Sequence, residues 1–146
     1  MKLSHILESS LYVSDLERAE QFYRQVLGLS LYSRKEGRHV FFRLANGMLL
    51  LFRAEATEQP GGGVPAHGAR GPGHLAFAVP QEALPAWKAH LQAQGVPIEA
   101  EVEWPGGGSS LYFRDPDGNS LELASPAIWR YQEAGFFHPP AKSSDG

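Results

Sequence analysis

The chain contains no cysteine. That excludes disulfides, thiolate metal sites and a cysteine nucleophile, and it accords with a reducing compartment. No apolar run approaches the roughly 18 residues that a membrane span requires. The opening stretch MKLSHILESS carries Ser, His and Glu where a secretory leader needs an unbroken apolar segment. A cytoplasmic location and no membrane partner are therefore expected. Basic residues are not in excess: 13 Lys and Arg against 16 Asp and Glu leave a net charge of −3. Such a chain has no basic field to draw nucleic acid, so none is expected as a partner. What remains is an ordinary globular composition, 42% hydrophobic over 146 residues, long enough for a core without staples.

The chain repeats itself. Residues 7–13 alternate, with Leu7, Ser9, Leu11 and Val13 on one face and Glu8, Ser10 and Tyr12 on the other, which is the period of a strand. Ser14 or Asp15 then offers a helix N-cap. Leu16, Ala19, Phe22, Tyr23, Val26 and Leu27 recur at helical spacing as far as Gly28. Strand-like runs follow at Leu29–Arg34, Arg38–Leu44 and Met48–Arg53, the last two joined by the hairpin signal Ala45-Asn46-Gly47. Residues 55–72 are rich in Gly, Pro and Ala without a period, as expected of a linker or exposed loop.

After that loop the order returns. A strand at His74–Val79 precedes a helix marked by Leu84, Trp87 and Leu91 and ended by Gly95. Strands follow in PIEAEVEW, SSLYFRD and NSLELAS, with Asp115-Pro116-Asp117-Gly118 as the last turn. FFRLANGMLLLF (Phe41–Phe52) lies over YFRDPDGNSLEL (Tyr112–Leu123) without a gap, and ESSLYV lies over HLAFAV. The expected fold is α+β: two βαβββ modules in tandem related by a pseudo-twofold, their curved mixed sheets enclosing a cleft. The modules span 1–54 and 73–125, with the linker between them and a C-terminal tail at 126–146. That tail holds Trp129, Tyr131, Phe136 and Phe137, enough aromatic surface to pack on something, whereas residues 142–146 have none.

Alternation sets direction. Leu11 and Val13 belong under the helix, so Glu8, Ser10 and Tyr12 face away from it. By the same parity His74, Glu122, Tyr112 and Arg114 face away in the second module, and His39, Phe41 and Arg43 in the first. The gapless repeat pairs Leu51 with Glu122, which sets Leu51 on the away face too. The cleft is then lined by Glu8, Leu51, His74 and Glu122. Three of these are residue types that can bind metal, and one imidazole with two carboxylates would leave a divalent ion near neutral with positions open for substrate.

This layout resembles the vicinal-oxygen-chelate superfamily, which groups glyoxalase I, extradiol dioxygenases, fosfomycin-resistance proteins, methylmalonyl-CoA epimerase and bleomycin-resistance proteins. The resemblance is carried by LYVSDLERAEQFYRQVLGL (Leu11–Leu29), GHLAFAV (Gly73–Val79) and LYFRDPDGNSLEL (Leu111–Leu123). It implies metal ligands on the first and last strand of each module, at the positions of Glu8, Leu51, His74 and Glu122. Leu51 does not ligate, and a three-ligand set resembles that of the dioxygenases and fosfomycin transferases rather than the four-ligand glyoxalase I. Glu8 stands where a histidine is common. The implied cofactor is a divalent metal ion, with the harder site favouring Mn²⁺, Fe²⁺ or Mg²⁺ and leaving Zn²⁺ and Ni²⁺ open.

The implied chemistry is that of a lyase, isomerase, transferase or dioxygenase acting on a small oxygen-chelating substrate, with Glu122 in the catalytic set and a homodimer as the assembly. His67, in the loop PAHGARG, is the candidate lid or acid–base residue. Tyr12, His39, Phe41, Arg43, Leu51, Tyr112 and Arg114 are the candidate substrate-lining residues. The alternative class is a metal-free, ligand-sequestering protein of the bleomycin-resistance type, in which Phe41, Tyr12 and Tyr112 hold the ligand.

Overall fold

A computed structural model describes residues 1–138. Its strands are β1 (Glu8–Tyr12), β2 (Ser30–Lys35), β3 (His39–Leu44), β4 (Gly47–Phe52), β5 (His74–Ala78), β6 (Ala100–Glu103), β7 (Ser109–Arg114) and β8 (Ser120–Ala124). Its helices are α1 (Leu16–Gln25), α2 (Ala54–Thr57), α3 (Leu84–Ala93) and α4 (Glu133–Phe137). Two four-stranded sheets result, ordered β1-β4-β3-β2 and β5-β8-β7-β6. The βαβββ order therefore occurs twice, and the fold class is α+β as expected. The chain clusters into two compact units, Met1–His74 with Arg114–Ser120, and Leu75–Phe113 with Leu121–Gly146.

In the first unit β1 pairs in parallel with β4, and β3 in antiparallel with both β2 and β4. α1 starts where Asp15 caps it, its side chain accepting from the Arg18 N–H, and Gly28 takes the left-handed conformation beyond its end (φ 70°). One face of the sheet joins that helix in the core: Leu11, Val40, Phe42, Leu49 and Leu51 are buried with Ala19 and Tyr23, and the Tyr23 and Phe42 rings lie 5.8 Å apart. Truncating a fully buried ring such as Phe42 to Ala would cost about 3–5 kcal/mol. Glu20 is tolerated at 10% side-chain exposure because Arg34 on β2 reaches it at 3.1 Å.

The loop after Phe113 belongs to the first unit for a polar reason. Asp115, 4% exposed, accepts from the Tyr23 hydroxyl at 2.8 Å and from the Asn119 side chain and backbone at 2.9 Å. Asn119 also donates to the Tyr12 carbonyl, and Asp117 receives both the backbone N–H and the hydroxyl of Ser14. These donors offset the cost of burying the Asp115 carboxylate.

Residues 55–72 are not wholly irregular, since α2 opens the segment, with Thr57 buried. The tail forms a 3₁₀ turn at Pro126–Trp129 and then α4. Its aromatics are largely exposed, Trp129 at 77% and Tyr131 at 60%, although Tyr131 and Phe136 contact each other at 5.8 Å. The expectation for residues 142–146 lies outside the described residues. Among the described residues no helix is long and apolar enough to cross a membrane.

Candidate functional site

The cross-strand register assigns side chains to faces. Glu8 lies opposite Met48, Ser10 opposite Leu50 and Tyr12 opposite Phe52, while His39 lies opposite Phe52, Phe41 opposite Leu50 and Arg43 opposite Met48. Directly opposed residues share a face. Glu8, Ser10, Tyr12, His39, Phe41 and Arg43 therefore sit together, as expected, but with Leu50 and Phe52 rather than Leu51. Leu51 is fully buried on the other face with Leu11 and Val40 and lines no open surface.

The reason is a turn. Leu44 pairs with Gly47 across two residues, whereas the Asp115 N–H bonds the Asn119 carbonyl across three, with Gly118 left-handed (φ 83°). One extra residue flips the parity of everything after it. The counterpart of Glu122 is then Leu50, a side chain that is equally unable to bind metal.

On this face of the first unit the rings are in mutual contact. His39 stacks on Phe41 with centroids 3.9 Å apart. Phe52 meets Phe41 edge-on at 5.4 Å and His67 at 4.8 Å. Arg38 lies over Phe52 and directs Nη1 to His39 Nδ1 at 2.7 Å. Arginine only donates, so Nδ1 is the acceptor and His39 is the neutral Nε2–H tautomer. Burial, Arg38 and Lys35 all hold its pKa below the ordinary value. Arg43 is exposed and lies over the Tyr32 ring at 4.9 Å. Arg114 is also exposed and donates to the Gly118 carbonyl of its own turn.

Glu8 and His74 are both exposed. His74 Nδ1 lies 3.0 Å from the Ser120 carbonyl. A carbonyl only accepts, so Nδ1 is the donor in this bond. Metal-binding histidines are oriented in this way.

Glu122 is of another kind. It is 5% exposed, and its Oε2 accepts from the Ser110 hydroxyl at 2.7 Å. Ser110 in turn accepts from the Trp104 indole N–H at 2.9 Å. The Tyr112 hydroxyl also bonds Glu122, and burial together with that carboxylate raises the Tyr112 pKa. Sequence reasoning missed Ser110, Trp104 and Phe52. Ser110 was findable, since it stands two residues before Tyr112 and shares its face. Among the described residues no group of three or more His, Asp or Glu side chains stands close enough to hold a metal ion. A hollow of about 640 Å³ beside α1 is lined by charges of both signs, Glu20, Arg34, Lys35 and Arg53 among them, and Arg34 is already paired to Glu20.

Residues 2–123 match the model of the Glyoxalase/Bleomycin resistance protein/Dioxygenase superfamily. The chain is 31% identical over 128 residues to the "Metallothiol transferase FosB" of Bacillus licheniformis, covering 87% of this chain and 77% of that protein. It is 31% identical over 121 residues to the "Glutathione transferase FosA" of Serratia marcescens, covering 83% and 78%. Among solved structures, a lactoylglutathione lyase from Agrobacterium tumefaciens superposes with a TM-score of 0.87 at 38% identity, covering 90% of this chain and all of that one.

Proposed function

The chain belongs to the glyoxalase, bleomycin resistance and dioxygenase superfamily, and from that premise we propose that it is a divalent-metal-dependent enzyme joining a small thiol to an oxygen-bearing electrophile. The observation that carries this is Glu122. A carboxylate 5% exposed is costly to bury. Ser110, backed by Trp104, and Tyr112 supply its hydrogen bonds. A solvated surface glutamate needs no such support. The names of the three relatives each contain a thiol or its thioester: metallothiol, glutathione and lactoylglutathione. The three-ligand count favours the transferases over the lyase.

Glu8, His74 and Glu122 are the proposed ligands. Their donor chemistry fits a hard divalent ion, which supplies Lewis acidity toward substrate oxygens. His74 is oriented by the Ser120 carbonyl, and Glu122 by Ser110. Among the described residues no three such groups stand close enough to hold a metal ion, and we propose that a second copy completes the set in a homodimer. The exposure of Glu8 and His74, and of Ile6 at 78% and Leu7 at 76%, supports a covering partner there. Tyr12, His39, Phe41 and Tyr112 form the proposed substrate wall, and a cytoplasmic location is retained as part of the proposal.

Metal-free ligand binding is the second possibility. It is favoured by the absence of a three-ligand group among the described residues and by the ring-lined face of Phe41, Phe52 and Tyr12. Turnover decides between them. Glutathione or L-cysteine is mixed with fosfomycin as probe electrophile, with and without Mn²⁺, and thiol loss and adduct are followed. Mn²⁺-dependent adduct formation is expected. Binding of the electrophile without turnover under any divalent ion would favour the binder.

A further inference from the structure

The loop after α2 is a built seat for one histidine. The His67 N–H donates to the Thr57 carbonyl at 3.0 Å. On either side of it, Glu58 and Arg70 close the loop with two hydrogen bonds of 2.5 and 2.9 Å, which lower the Glu58 pKa and raise that of Arg70. Gly68 lies so close to this staple that a Cβ there would sit 2.6 Å from Glu58 Cγ, so the position admits no side chain without rearrangement. Held in this way, the His67 ring rests edge-on against Phe52 at 4.8 Å and places Nδ1 2.6 Å from the Tyr12 hydroxyl. An exposed loop histidine with no role needs none of these constraints.

Tyr12 is the partner that gives the pair a direction. It lies on the same face of β1 as Glu8, four residues further along, a separation of roughly 13 Å at about 3.3 Å per residue. A tyrosine side chain, a sulfur atom and a substrate held at Glu8 together span that gap. Both Tyr12 and His67 are half-buried, shielded by Phe52 yet reachable.

We propose that Tyr12 and His67 form the proton relay for the thiol, an inference that rests on the function proposed above. The thiol S–H bond breaks as its proton passes to the Tyr12 oxygen, while the phenol proton passes to His67 Nδ1. The thiolate forms the C–S bond as the C–O bond of the electrophile opens. The proton held on His67 returns through Tyr12 to the resulting alkoxide, so that no proton or electron is left over. Tyr12 touches the substrate and is the catalytic residue; His67 acts through it as a positioning residue and proton store. The titratable and charged groups around the pair are Glu58 and Arg70 on the same loop, and His39 and Arg38, which contact Phe52 from β3 and from the turn preceding it.

The test uses the metal-loaded full chain with glutathione and fosfomycin, comparing wild type with Tyr12→Phe and His67→Gln. Bound metal and the thermal transition are measured alongside. Each variant is expected to keep its metal and its KM for glutathione while kcat falls about 10²–10⁴-fold. The His67→Gln profile is expected to lose the acidic limb of kcat/KM, and the double variant to be no slower than either single one. Variants that keep metal, kcat within twofold and the same pH limb would overturn the relay alone. Wild type with neither metal nor turnover would overturn the proposed function and the relay with it. An independent readout is the His67 ring ¹⁵N chemical shifts by NMR: the Nδ1 signal is expected to move in Tyr12→Phe as its 2.6 Å hydrogen bond is lost, and unmoved signals would also overturn the pairing.

Discussion

Replacing Ser110 with alanine isolates the support beneath Glu122. Ser110 is 1% exposed, and its hydroxyl does two things at once, donating to Glu122 Oε2 at 2.7 Å and accepting from Trp104 Nε1 at 2.9 Å. A hydrogen bond to a charged group contributes about 1.5–3 kcal/mol. Trp104 is 40% exposed, so water replaces its lost acceptor at small cost. Glu122 keeps its bond from Tyr112, which limits the loss. The expected destabilisation is therefore about 2 kcal/mol, or about 6 °C in Tm for a chain of this length. Metal affinity should fall about 10–100-fold, the usual effect of removing a group that orients a ligand. Circular dichroism melting and a Mn²⁺ titration measure the two effects. Ser110→Thr retains the hydroxyl and should recover most of both, and Trp104→Phe should cost less than Ser110→Ala. A Tm within 1 °C of wild type, or an equal loss in Ser110→Thr, would refute the claim that this hydroxyl holds the carboxylate.

Two further outcomes follow from the buried hydrogen bonds and the shifted histidine. Tyr23→Phe removes the 2.8 Å bond to buried Asp115 and should cost about 2 kcal/mol in urea unfolding; an unchanged midpoint would mean that the Asn119 and backbone donors suffice. The pKa of His39 is depressed in the folded state, so the unfolded chain takes up the proton first on acidification. Stability should fall as the pH drops through about 6.5, the ordinary histidine value, and level off below the folded value. His39→Gln should flatten that slope between pH 7 and 5, and an identical slope in the variant would remove His39 as its cause.

The element order was legible because each strand buries one face and alternates visibly, and α1 carries both its cap and its terminal glycine. The repeat was legible for the same reason. What failed was counting through a turn. The two halves share an aromatic-Phe-Arg run and a turn glycine, yet one turn needs two residues and the other three. Residue types aligned where geometry did not, and Leu51 was set on the wrong face. α2 was missed because a four-residue helix shows too little period to be seen. Tyr12, His39 and Phe41 were placed correctly by parity alone. The bond from His67 to Tyr12, 55 residues apart, was beyond parity, since it depends on how Glu58 and Arg70 fold the loop back.

The central claim is that Glu8, His74 and Glu122 grip one divalent ion between copies of the chain. Metal content per chain, measured by mass spectrometry on protein purified without chelators and then loaded with Mn²⁺, Fe²⁺ or Zn²⁺, tests it most directly, with the mass in solution read from the same sample. The account predicts one ion per chain in a dimer, lost in His74→Ala and Glu122→Ala. A wild-type protein that takes up none of these ions, or variants that retain the ion, would contradict it.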